Sequence, residues 1–156
     1  MRIFILENKL KLIIEDEVLN AIYKFNPIDY KHENGGVLLG KFNKEENTYV
    51  ITNISTTNPK DKKGKYFFIR NKKQAQLVIN KCWENSNGEI NYLGEWHTHD
   101  EKYPTPSFVD KQLAKQMLNN KNIEINNVFM IILGNNKNLY ICTIDCNKKI
   151  YKLREE

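Results

Sequence analysis

Two histidines one residue apart in a His97-Thr98-His99 run are followed, after seven intervening residues, by Ser107 and then by Asp110. These residue types at this spacing can bring two imidazole nitrogens and one carboxylate oxygen to a single zinc ion. Three protein ligands leave a fourth tetrahedral position for water, the arrangement of a catalytic zinc and not of a structural one. Zinc so bound lowers the pKa of water to about 7, which makes a nucleophile available at neutral pH. The chemistry expected of the group is metal-assisted hydrolysis.

The elements that must position these residues are legible around them. Residues 90 to 98, with Ile90, Tyr92, Leu93 and Trp96, read as a buried strand. Side chains two apart on a strand share a face, so both imidazoles converge. The run from Asp100 to Pro106 holds two prolines and must be a loop. Ser107 then opens an amphipathic helix with Leu113, Met117 and Leu118 at helical spacing, which puts Asp110 in its first turn. Taken alone, Ser107-x-x-Asp110 is a capping box, and a lone histidine is more often surface or core than a ligand. All four residues fall within 14 positions, however, and strand, loop and helix fold them onto one another.

The string Gly94-Glu95-Trp96-His97-Thr98-His99, with Pro104-x-Pro106-Ser107-x-x-Asp110, resembles the signature of the JAB/MPN/Mov34 (JAMM) metalloprotease family. That family also places a glutamate well upstream, beside a short glycine-containing strand, and the segment Glu33-Asn34-Gly35-Gly36-Val37-Leu38-Leu39-Gly40 fits the pattern. The small size and the Trp-His-Thr-His wording resemble bacterial stand-alone JAB proteins, including those associated with antiphage defence operons. Asp100 departs from the family, which usually has proline there.

The resemblance implies one Zn2+ per chain, held by His97, His99 and Asp110. It implies that Glu33 takes a proton from the attacking water and passes it to the departing amine. Ser107 would donate a hydrogen bond to the tetrahedral oxyanion; capping and catalysis then draw on one hydroxyl, with the backbone N–H left free. Glu95 is a rival for the base, since it lies two residues before His97 and shares its face, while Glu33 is distant in sequence. Glu95 could instead orient a ligand histidine. His32 alternates away from Glu33 and reads as a non-ligand.

For substrate, the resemblance implies an isopeptide or peptide bond after the C-terminal glycine of ubiquitin or a ubiquitin-like modifier, cut in deconjugation or precursor maturation. The implied partners are the modifier, its conjugates and the E1- or E2-like proteins of a bacterial conjugation or defence pathway. An extended modifier tail could add to a sheet edge. Two other readings stand beside this one: a zinc hydrolase of a sulfur-carrier conjugate or small adduct, and a non-catalytic binding module on the same fold. Modules of that kind typically lack part of the ligand set, which here is complete.

At 156 residues the chain is expected to be one domain, 1–156, able to bury a core without disulfides. Three cysteines (Cys82, Cys142, Cys146) with no C-x-x-C pair argue against a disulfide framework, and Cys142 reads as a buried strand residue. The net charge is +5, but the densest basic run, Lys60 to Lys65, lacks interleaved aromatics and argues against nucleic acid. Glu7, Lys9 and Lys11 interrupt the apolar start, and no run reaches membrane-spanning length, so a cytoplasmic protein is expected.

The remaining pattern predicts strands at 3–6 and 10–14, and a helix over 17–26 capped by Asp16 and ended by Pro27. A hairpin of 37–42 and 49–55 follows, then a polar loop at 58–64, a strand at 66–69 and a helix over 74–83. A second hairpin, 128–133 with 139–144, turns at Asn135-Asn136, and 150–153 forms a last strand. The loops at 58–65 and 119–127 could grip a second protein or be plain surface. Strands and helices mix without strict alternation, so the fold class is α+β, with a curved, mostly antiparallel mixed sheet and packed helices. The resemblance implies the same architecture, JAB/MPN-like and cytidine-deaminase-like.

Overall fold

Leu10, Leu12 and Ile14 alternate with partly exposed residues, and this period of two builds a strand whose apolar edge faces inward. The same logic recurs along the chain. The computed structural model describes residues 1–7, 9–118 and 125–156. In order, the elements are β1 (Arg2–Leu6), β2 (Leu10–Ile14), α1 (Asp16–Tyr23), β3 (Gly35–Asn43), β4 (Thr48–Ile54), β5 (Lys62–Gly64) and β6 (Phe67–Ile69). They continue with α2 (Lys72–Asn85), β7 (Asn91–Thr98), α3 (Phe108–Met117), β8 (Asn127–Leu133), β9 (Leu139–Asp145), β10 (Ile150–Lys152) and β11 (Arg154–Glu155).

Nine strands form one mixed sheet in the order β10-β9-β8-β7-β3-β4-β2-β1-β11, while β5 and β6 pair only with each other. Most neighbours are antiparallel; β2 with β4 and β7 with β8 are parallel. The fold is α+β, as the mixed pattern of elements predicts. Helix α1 covers one sheet face, where Val18, Leu19 and Ile22 join Leu38, Tyr49, Trp96 and Phe129. Helices α2 and α3 cover the other, where Ala75, Ala114 and Met117 join Val37, Leu39, Tyr92 and Met130.

One irregularity decides which side chains of β7 reach which face. Leu38 pairs with Gly94 but Leu39 pairs with Tyr92, so Leu93 has no opposite residue and the strand bulges. Tyr92 therefore stays on the α2/α3 face, while Leu93 and Trp96 enter the α1-side core. Directly opposed residues share a face. Val37 opposes Glu95, which puts Glu95 and, two residues on, His97 on the α2/α3 side. Gly94 takes the bulge at φ +145°, and a Cβ there would meet the Phe129 carbonyl oxygen at 1.9 Å.

Several elements differ from the sequence expectation. Asp16 is the first helical residue and Glu15 the cap residue, without a side-chain cap bond, and α1 stops at Tyr23. Phe25, beyond it, packs instead on Trp96 with ring centroids 5.3 Å apart. The polar loop at 58–64 gives its last three residues to β5, which pairs with β6 across a Lys65-Tyr66 turn. The parallel pairs and β11 carry no local signal, because both depend on partners far along the chain. Of the 119–127 connection, residues 119–124 lie outside the described residues. Among the described residues no helix is long and apolar enough to cross a membrane.

Two outcomes follow from this packing. Gly94→Ala, strained in φ and blocked by backbone, is expected to lower the free energy of unfolding by about 2–4 kcal/mol, read from urea denaturation. Burial pushes the Cys142 thiol up to about 12, so it stays protonated at pH 8 and withholds the reactive thiolate. Iodoacetamide on the native protein is expected to modify exposed Cys146 and to reach Cys142 only after unfolding, as peptide mass mapping will show.

Candidate active site

The ladder between β3 and β7 does not stop where the strands end. Gly35 opposes His97. One residue further, the Thr98 N–H donates to the Asn34 carbonyl at 2.9 Å, and the Asn34 N–H donates to the Thr98 hydroxyl at 2.9 Å. Continuing the antiparallel register sets Glu33 opposite His99, with Oε1 of Glu33 3.7 Å from Nε2 of His99. The sequence separation between the two residues is thus cancelled by strand pairing. Gly35 must be bare for this: a Cβ would lie 2.5 Å from the Trp96 carbonyl oxygen and 2.7 Å from the Phe68 ring. The Glu33 N–H donates to the Gly64 carbonyl at 2.9 Å, so the β5–β6 hairpin is tied beside the carboxylate.

His99 lies just past β7, and its N–H donates to the Leu133 carbonyl at 2.9 Å, extending the parallel pairing with β8. The two imidazoles converge as the two-residue spacing predicts, with their Nε2 atoms 3.2 Å apart. Asp110 arrives from the other side, on the first turn of α3. Ser107 caps that helix: its hydroxyl accepts from the Asp110 N–H at 3.1 Å, and its own N–H donates to Oδ2 of Asp110 at 2.7 Å. Oδ1 of Asp110 stands 3.1 Å from Nε2 of His97, and Oδ2 stands 3.0 Å from Nε2 of His99. Glu33, His97, His99 and Asp110 are all buried.

This donor set fits zinc. Ligand atoms held about 2.0–2.1 Å from a tetrahedral centre stand about 3.3 Å from one another, and the two imidazole nitrogens and the Asp110 oxygens are spaced close to that. One donor atom each from Glu33, His97 and His99 also lies within 4.8 Å of the others. Of the two carboxylates, Asp110 faces both imidazoles with separate oxygens, while Glu33 faces His99 from beyond hydrogen-bond reach.

Residues 15–144 match the family model for prokaryotic homologs of the JAB domain, Prok-JAB. The chain belongs to this family. It is similar to a CD-NTase/cGAS isopeptidase of Escherichia coli, 36% identical over 100 residues that cover 64% of this chain and 63% of that protein. It is similar to one of Pseudomonas aeruginosa, 33% identical over 109 residues covering 70% and 66%. A third, from Vibrio cholerae, is 29% identical over 106 residues, 67% of each chain. The chain thus spans a little under two thirds of the first two relatives. The solution structure of a Desulfitobacterium hafniense protein matches 93% of this chain and 89% of its own, with a TM-score of 0.62 at 15% identity, which speaks to the JAB/MPN-like fold.

In this Prok-JAB chain the electrostatics follow from burial and mutual contact. Burial pushes the Glu33 carboxyl up to about 7, against the pull of His97 and His99. Asp110 goes the other way: burial opposes its ionisation, but hydrogen bonds from His97 and His99 hold it well below the usual carboxylate range. Burial disfavours the charge of His99, but the carboxylates of Asp110, Glu33 and Glu101 together raise it above its ordinary value.

The structure corrects the expectation for Ser107 and refines those for Glu95, His32 and Asp100. The Ser107 backbone N–H is not free, since it is spent on Asp110. The hydroxyl is not contested either: it accepts from the Asp110 N–H and keeps its own proton to donate. Glu95 pairs with Arg70, a residue that no local motif marks. His32 turns its ring to the Glu33 carbonyl, with Nδ1 at 2.9 Å from that oxygen. Asp100, in the place of proline, is held by side chain instead: its Oδ1 accepts from Nδ2 of Asn135 at 2.8 Å. Ser107→Ala is expected to remove the cap acceptor and cost about 1 kcal/mol, measured by thermal unfolding of chelator-treated protein.

Proposed function

We propose that this chain is a zinc-dependent isopeptidase that hydrolyses the amide bond after the C-terminal glycine of a ubiquitin-like modifier. The observation that carries the reading is the Asp110 carboxylate facing Nε2 of His97 and of His99 at 3.1 and 3.0 Å, with buried Glu33 alongside. The name carried by its relatives, CD-NTase/cGAS isopeptidase, supports the reaction class. It also supports an isopeptide conjugate of a CD-NTase as the substrate; the cytoplasmic antiphage setting and the E1- and E2-like partners are inferred from the family resemblance.

His97, His99 and Asp110 would hold the zinc, with Glu33 outside the ligand set. When bound, zinc supplies Lewis acidity to a water molecule and to the substrate carbonyl. The Glu33 carboxylate takes the proton from the attacking water and returns it to the lysine nitrogen as the C–N bond breaks. Its burial keeps bulk water from competing for that proton. Ser107 offers its uncommitted hydroxyl proton to the oxygen that gains charge at the scissile carbon. As a ligand Asp110 would stay ionised, its charged form favoured by the metal and by the Ser107 N–H.

Zinc content and cleavage of a modifier–lysine isopeptide, measured together, test the reading. Glu33→Gln is expected to keep its zinc and lose turnover by about 10²–10⁴-fold. Glu95→Gln, whose carboxylate serves Arg70, is expected to stay within a few-fold of the parent. Activity retained in the first variant and lost in the second would reverse the assignment of the base. Removing zinc with a chelator is expected to abolish cleavage and adding zinc to restore it; a zinc-loaded protein that leaves the isopeptide intact would sink the proposed reaction.

A further inference from the structure

The ring of His99 has one polar atom that the site so far leaves unexplained. Its Nε2 faces Asp110 and His97, but its Nδ1 is buried and has no hydrogen-bond partner among the described residues. An imidazole that turns the Nε2 lone pair toward a metal carries its proton on Nδ1. A buried N–H without an acceptor is costly, so an acceptor is required there. Oε1 of Glu101 stands 4.0 Å from that nitrogen.

The backbone of Glu101 is already fixed on both sides. Its N–H donates to the His99 carbonyl at 2.8 Å, and its carbonyl accepts from the Asn135 N–H at 2.8 Å. The close approach relies on Gly134, where a Cβ would lie 2.6 Å from the Glu101 carbonyl oxygen. Asn135 also grips the neighbouring residue through Oδ1 of Asp100. The Glu101 side chain is half-exposed, so a turn about its own torsions can close the remaining distance of about 1 Å to hydrogen-bond range.

We propose that Glu101 is a positioning residue: its carboxylate accepts the Nδ1–H of His99 and so fixes the tautomer and ring angle at which Nε2 meets zinc. The inference rests on the reading of His99 as a zinc ligand. Partners of this kind orient the ring and raise its basicity, and their loss typically weakens metal binding by about 10–100-fold.

The test compares wild type, Glu101→Ala and Glu101→Gln, with zinc affinity measured against a chromophoric chelator and with ring 15N–1H NMR of the zinc-loaded proteins. Glu101→Ala is expected to lose about 10–100-fold in zinc affinity, and the His99 Nδ1–H signal to exchange faster with solvent. Glu101→Gln keeps a carbonyl acceptor and is expected to recover zinc affinity to within about five-fold of wild type, with the Nδ1–H signal retained. A purely structural role would not separate the two variants in this way. Wild-type affinity in Glu101→Ala, or a loss in Glu101→Gln as large as in Glu101→Ala, overturns the inference. Wild-type protein that binds no zinc overturns the parent reading along with it.

Discussion

The antiparallel register of β3 on β7 is the constraint on which the site depends. With Gly35 set against His97, Glu33 falls opposite His99 and on its face. A slip of one residue would turn Glu33 toward the α1 side of the sheet and leave the imidazoles without it. The register is pinned at several points that have nothing to do with chemistry. The bulge at Leu93-Gly94 fits only one alignment, and Asn34 and Thr98 bond each other through both backbone and side chain. Behind them, the Trp96 indole N–H donates to the Ser55 carbonyl at 2.9 Å, locking β7 to the chain that follows β4.

Burying four ionisable groups together is expensive unless each charge finds an opposite or a hydrogen bond. The structure meets that condition chiefly through Asp110. One carboxylate satisfies the first turn of α3 and faces both imidazoles, so the residue that begins the helix also closes the site. The capping box and the cluster are one geometry, and a reading that treats them as alternatives divides something that is single. Glu33, which has no such bonds to its carboxylate among the described residues, is pushed by burial toward neutrality. Two carboxylates that face the same His99 nitrogen thus have opposite electrostatic characters, the kind of asymmetry on which acid–base division of labour relies.

Much of this was legible in the amino-acid sequence, and the parts that were not share a cause. His97, His99, Ser107 and Asp110 lie within one strand, loop and helix start, so local periodicity and turn chemistry suffice to bring them together. Glu33 reached the site only by family resemblance, because strand pairing across 64 residues of chain leaves no mark on either segment alone. The same holds for the parallel partners β2 with β4 and β7 with β8. The pairing of Arg70 with Glu95 and the grip of Asn135 on Asp100 are side-chain meetings between distant loops and strands. No periodicity announces contacts of that sort. The short strand β5 has the pattern of a loop because lysines dominate it, and its pairing is decided by the Phe67–Ile69 partner across a two-residue turn.

The β5–β6 hairpin forms a sheet of its own and meets the cluster through one backbone bond, from the Glu33 N–H to the Gly64 carbonyl, and through Phe68 packed on bare Gly35. A backbone carbonyl can be supplied by any residue, so most hairpin side chains are free of the duty of holding the cluster. Relatives can therefore lengthen, shorten or recolour this projection while the ladder beneath it keeps Glu33 in place. The architecture separates what must be invariant from what can diverge, and puts the boundary between them at one peptide group and one phenyl ring.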